Sequence, residues 1–301
     1  MQKETVNESY MPVNNQPYIL RFVIFYKFAT DFLYKQLLRR DNLMENIIAG
    51  LAIPFIGTTL GAAMVFLLRG NISPLNQKML LGFASGIMVA ASFWSLLQPA
   101  IEQSSDGTFA SILPILGGFA AGIGFLLALD TFIPHQHLDS PKAEGVASTL
   151  PRSTKLALAV ALHNIPEGMA VGVVFAGTLS GDATLTLAGA FALSIGMAIQ
   201  NIPEGAIISI PLRTEGKSRT KAFTLGMLSG LVEPLAAIFT LLFLENTASA
   251  MPLLLSFAAG AMLYVVVEEL IPESQAGEHS NIGTIGFAVG FALMMILDTV
   301  L

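Results

Sequence analysis

His163-Asn164-Ile165-Pro166-Glu167-Gly168 and its near-copy Gln200-Asn201-Ile202-Pro203-Glu204-Gly205 each sit inside a long apolar stretch. Stretches of that length and composition read as membrane-spanning helices. A histidine or carboxylate at the bilayer centre costs roughly 2.5–3.5 kcal/mol on insertion scales, so such residues face a cavity or a partner. On a helix His163 and Glu167, four apart, share a face, while Asn164 lies about 100° round it. Gln200, Asn201 and Glu204 repeat that geometry. Pro166 lacks an N–H and leaves the Leu162 carbonyl without its helical partner; Pro203 does the same to Ile199. Freed carbonyls and kinks are tolerated in a span where they line protein or water. Two kinked helices with nitrogen and oxygen donors on corresponding faces point to a cation site. A kinked pair held by structural hydrogen bonds is the plainer alternative.

Composition agrees with a bilayer setting. Of 301 residues, 53% are hydrophobic and only 12% charged, and the mean hydropathy is +0.68. The fold class is therefore all-α, a polytopic membrane protein rather than a soluble one. The chain has no cysteine, which excludes disulfides and thiolate metal ligands. A net charge of −6 without a basic cluster gives no support for nucleic acid as a partner. The partners expected are the lipid bilayer and a divalent metal ion, with a homodimer left open, and the setting expected is the cell (plasma) membrane. No cleavable signal is expected at the polar amino terminus.

Residues 1–45 form a polar tail followed by a mixed segment, 17–40, in which Lys27, Asp31 and Lys35 make one polar stripe. That stripe predicts an amphipathic interfacial helix or an extra span. Residues 46–301 form the transmembrane domain. Its eight expected spans run roughly 46–68, 79–99, 111–133, 154–178, 184–211, 221–244, 252–272 and 282–301. Lysines and arginines cluster in the loops after the first, third and fifth spans (Arg69, Lys142, Arg213 and Lys217 among them), which places those loops, and with them the loop after the seventh span on the same side, in the cytoplasm. Basic residues before position 46 fall on the opposite side unless the extra segment crosses.

Two internal matches organise the flanks. Gly118-Phe119-Ala120-Ala121-Gly122, leading to Leu129-Asp130-Thr131, matches Gly286-Phe287-Ala288-Val289-Gly290, leading to Leu297-Asp298-Thr299. Leu81-Gly82-Phe83-Ala84-Ser85-Gly86 matches Leu255-Ser256-Phe257-Ala258-Ala259-Gly260. Spans two and three thus correspond to seven and eight, five crossings later, so the matches are inverted. A 3+2+3 inverted-repeat bundle with the motif pair at its centre follows, as in secondary transporters.

With both proline motifs in view, the chain resembles the ZIP family of divalent-metal transporters, and its GufA-like bacterial branch in particular. The resemblance covers about residues 46–301. It implies transport of Zn2+, with Fe2+, Mn2+ and Cd2+ as related cargo, toward the cytoplasm by alternating access. It further implies that spans one, four, five and six move against two, three, seven and eight. It puts a first metal at His163, Glu167, Gln200 and Glu204, with Met88 as an occasional soft donor. A second metal falls to Asn164, Asn201 and Glu233, bridged by Glu167 and Glu204. Gln200 and Asn201 stand where related chains often carry an acid or histidine. Three glutamates then face two divalent ions, and one tight ion and one weak one is expected.

Asp130, His135 and His137 after the third span, with Glu268 and Glu269 ending the seventh, suit a cytoplasmic exit relay. Asp298, the repeat partner of Asp130, suits an outer entrance. A membrane-embedded metal-dependent hydrolase, with Glu167 or Glu204 activating water, is the competing class. It lacks a His-Glu-x-x-His helix. An ion channel or metal sensor is the third reading, without a pore-loop signature.

Overall fold

A computed structural model describes residues 43–67, 72–104, 108–135, 145–150, 152–181, 183–244 and 250–301. The polar tail, the amphipathic segment over 17–40 and His137 lie outside the described residues. Among the described residues the regular elements are helical, and eight are long and apolar enough to cross a bilayer. They are α1 (Leu43–Leu67), α2 (Pro74–Gln103), α3 (Phe109–Phe132), α4 (Arg152–Ser180), α5 (Leu187–Thr214), α6 (Arg219–Phe243), α7 (Met251–Gln275) and α8 (Ile282–Val300). Their outer faces carry exposed large apolar residues such as Leu127, Phe243 and Ile285, as lipid contact requires.

Local chemistry sets the ends. Ser73 caps α2 by accepting the Asn76 N–H, with Pro74 in the first turn, so α2 begins earlier than hydropathy predicts. Thr186 and Ser218 cap α5 and α6 in the same way.

Prolines act unevenly. α4 and α5 remain helical through Pro166 and Pro203. The interruptions fall elsewhere. α6 breaks at Leu231, three residues before Pro234, and restarts at Val232. α2 and α7 each widen into a π turn, Ser92–Leu97 and Val266–Leu270. In each, the residue before a proline donates five residues back: Gln98 to Phe93, and Ile271 to Val266. A helical proline ring clashes with the carbonyl four residues upstream, and the wider turn relieves that clash at Pro99 and Pro272.

Glycines set which helices meet backbone to backbone, the close approach typical of membrane bundles. A Cβ on Gly286, Gly290 or Gly86 would strike the carbonyls of Met79, Phe83 and Phe287, which locks α2 to α8. A Cβ on Gly118, Gly122 or Gly260 would strike those of Leu253, Phe257 and Phe119, which locks α3 to α7. The two interfaces use corresponding residues of the two sequence matches, each helix pairing across the matches. Gly57, Gly61 and Gly205 lock α1 to α5, and Gly168 and Gly172 lock α4 to α6. Where α5 faces α8, by contrast, Gly196 meets the flexible Met294 thioether. Lys78 donates to the Glu278 carbonyl and ties α2 to the turn between α7 and α8.

Candidate metal centre

α4 and α5 bring their motif residues together in the middle of the bundle. Asn164, Glu167, Gln200 and Asn201 are fully buried, and His163, Glu204 and Glu233 nearly so. Glu233 enters from the start of the second half of α6, and Thr58 enters from α1. Small residues make the approach possible: Gly205 packs on the Thr58 carbonyl, Gly230 on its side chain, and Gly168 on the Glu233 carbonyl.

One hydrogen-bonded group spans four helices. The Gln200 amide N–H donates to Glu167 Oε1 at 2.5 Å and to Asn201 Oδ1 at 2.9 Å. Asn201 Nδ2 donates to Glu233 Oε2 at 2.7 Å, and the Thr58 hydroxyl donates to Glu233 Oε1 at 2.8 Å. The amides thus interpose N–H groups between two carboxylates that would otherwise repel. Asn164 Nδ2 donates to the Ser229 carbonyl at 3.1 Å.

His163 belongs to a second group. Its Nε2 lies against the carboxylate of Glu269, which the α7 π turn carries inward. Glu204 joins the two groups electrostatically, acting on His163 and Glu269 on one side and on Glu167 and Glu233 on the other. Among the described residues, no three His, Asp or Glu side chains converge closely enough to hold one ion. Yet Asn164 Oδ1, Glu167 Oε2, Gln200 Oε1 and Glu204 Oε2 are buried acceptors with no donor among the described residues. Each such orphan costs about 1–3 kcal/mol. Four oxygens lacking a donor beside an imidazole form a donor set suited to a borderline divalent cation. Met88 is fully buried on α2, upstream of its π turn.

Two further polar groups flank the centre. At the end of α3, His135 is fully buried, its Nδ1 directed at the Ile133 carbonyl (2.8 Å) and its Nε2 at Asp130 Oδ1 (3.0 Å). The Tyr264 hydroxyl of α7 donates to Asp130 Oδ2 at 3.3 Å. Glu268 is exposed on the π turn beside buried Glu269. Elsewhere the Ser95 hydroxyl, from the α2 π turn, donates to Asp298 Oδ1 at 2.6 Å. Asp298 Oδ2 has no donor among the described residues. This pair lines a cavity of about 170 Å³ between α2, α8 and the start of α5. Thr58, Ser95 and Tyr264 are absent from the sequence reading. Hydroxyls are common packing groups in spans, and only Tyr264 carried a signal: it is the sole tyrosine after residue 34.

Eight apolar helices around an ionisable core define a polytopic membrane protein with carboxylates, amides and an imidazole gathered where lipid would forbid them. Residues 134–298 match the family described as ZIP zinc transporter, and the chain belongs to that family. It is 36% identical to the zinc transporter ZIP11 of Bos taurus, over 80% of this chain and 93% of that protein. It is 39% identical to the zinc transporter ZIPB of Bordetella bronchiseptica (84% and 81% covered) and 38% identical to the zinc transporter GufA of Myxococcus xanthus (85% and 97%). The expected GufA-like kinship therefore holds. The family is one of transporters and not of enzymes, so the hydrolase reading falls away.

Proposed function

We propose that this protein carries Zn2+ across the membrane toward the cytoplasm, by alternating access around a midplane site on α4 and α5. The observation that carries this reading is the set of donor-less oxygens on Asn164, Glu167, Gln200 and Glu204, beside His163 and on helices of the two glycine-locked pairs α1·α5 and α4·α6. His163, Glu167, Gln200 and Glu204 would hold the first ion, with Met88 as a soft addition. Asn164, Asn201 and Glu233 would hold a second, weaker one. Loading requires the Gln200 and Asn201 amides to turn their oxygens inward or move aside, and His163 to leave Glu269.

The distribution of glycines supports the motion. The glycine contacts with another helix's backbone lie within two groups, α1·α5 with α4·α6 and α2·α8 with α3·α7. At Gly196 the boundary between the groups is a methionine side chain, which repacks at little cost. The glycine-mediated backbone contacts thus hold each group together, and the boundary at Gly196 is a side-chain contact. The recurrence of the α2·α8 contacts in α3·α7 supports the inverted repeat that such motion uses. Basic loops on one side orient the bundle in the membrane, and movement toward the cytoplasm is what the resemblance to the family implies. Asp298 with Ser95 would meet the incoming ion, and Glu268, Glu269, Asp130, His135 and His137 would pass it on.

Uptake of radioactive zinc into vesicles containing the purified protein tests the reading. A saturable, modest rate is the expected result. A non-saturating flux would favour a channel, and no zinc-dependent flux would overturn transport.

A further inference from the structure

Tyr264 lies in the last regular turn of α7, directly before the π turn that carries Glu268 and Glu269. A tyrosine hydroxyl inside a span needs a polar partner. Its partner here is Asp130 Oδ2 on α3. The other Asp130 oxygen faces His135 Nε2, whose ring is in turn oriented by the Ile133 carbonyl. Along α7, Tyr264 precedes Glu268 and Glu269 by four and five residues, and Glu269 touches His163. Tyr264 is thus the neutral link between the midplane centre and the Asp130–His135 pair.

A neutral phenol is a weak ligand beside two carboxylates and an imidazole, so ligation is not what its placement suits. Orientation is. One Asp130 oxygen held by the phenol leaves the other aimed at His135. At 3.3 Å the bond is long, and an arriving cation can displace it. We propose that Tyr264 is a positioning residue of the exit step: it holds Asp130 in register with His135 until an ion leaving the midplane takes the phenol's place. This rests on the transport reading above.

The test compares wild type, Tyr264→Phe, Asp130→Asn and the double variant. It uses zinc uptake into vesicles, zinc affinity by titration calorimetry, and zinc-induced tyrosine difference absorbance. Phenylalanine keeps the ring and its packing. Losing one weak hydrogen bond to a carboxylate corresponds to roughly a fivefold effect. Tyr264→Phe should therefore lower the maximal rate about fivefold, leave half-saturation and core affinity unchanged, and add nothing in the Asp130→Asn background. The other four tyrosines precede residue 35, so the absorbance change that Tyr264→Phe abolishes belongs to Tyr264. A Phe variant running at the wild-type rate, effects that multiply in the double variant, or zinc binding without a Tyr264 signal would overturn the proposal. Absence of uptake by wild type would overturn the transport reading instead, and the absorbance signal would still decide whether zinc displaces the phenol.

Discussion

Asn201→Asp changes one atom type at the point where the amide network meets Glu233. The Asn201 N–H that now donates to Glu233 at 2.7 Å is replaced by a carboxylate oxygen. Two charge centres about 4 Å apart at an effective dielectric near 20 repel by on the order of 4 kcal/mol. The lost hydrogen bond to a charged acceptor adds about 1.5–3 kcal/mol. Both effects raise the metal-free state and are relieved by a divalent ion. Proton sharing between the paired carboxylates and desolvation of the new charge remove a good part of that gain. A net tightening of about 2 kcal/mol for the second ion remains, roughly thirtyfold. The first ion, proposed at His163, Glu167, Gln200 and Glu204, should tighten only slightly. Deeper binding slows release, so the maximal uptake rate should fall. Equilibrium dialysis at graded free zinc, with uptake on the same preparations, measures both. Wild-type protein that already holds two ions with equal, high affinity would refute the reasoning, as would a variant with unchanged stoichiometry.

Neighbouring glycines on α3 give a paired stability test. Gly118→Val drives a side chain into the Leu253 carbonyl, whereas Gly117→Val meets nothing within 4 Å; the first should destabilise by at least about 1–3 kcal/mol and the second by much less, as read by thermal unfolding in detergent. Gly196→Ala intrudes on the Met294 thioether at the seam, so uptake should slow while the unfolding temperature and zinc affinity stay near wild type, and Met294→Ala should restore the rate. Asp298→Asn should raise the zinc concentration for half-maximal uptake and leave the maximal rate nearly unchanged, because its cavity stands apart from the core cluster.

The fold was legible because a bilayer makes burial a matter of length: eight apolar stretches had to be helices. The pairing of α4 with α5 was legible from two copies of one polar pattern at helical spacing. Glu233 came into view through family resemblance, and the break before Pro234 explains how it reaches the centre. The partition of the site was not legible. Nothing in the spacing of Gln200 and Asn201 says whether an amide presents its oxygen or its N–H, since either end can face a neighbour. Nor does spacing reveal the π turns, which arise from the tertiary response to Pro99 and Pro272 and rotate Glu269 inward onto His163. Glu269, expected along an exit, lies against His163, a contact that spacing does not reveal, while the adjacent Glu268 is exposed. α4 stays helical through Pro166 and α5 through Pro203, and the glycine two residues after each proline packs on a neighbouring helix, Gly168 on α6 and Gly205 on α1.

The central claim is that the α4–α5 carboxylates bind the ion that is moved. Zinc uptake by Glu167→Ala protein that inserts, unfolds cooperatively and keeps its vesicle orientation tests it most directly. The account predicts loss of saturable uptake together with loss of tight zinc binding. Uptake at the wild-type rate in that folded variant would contradict it.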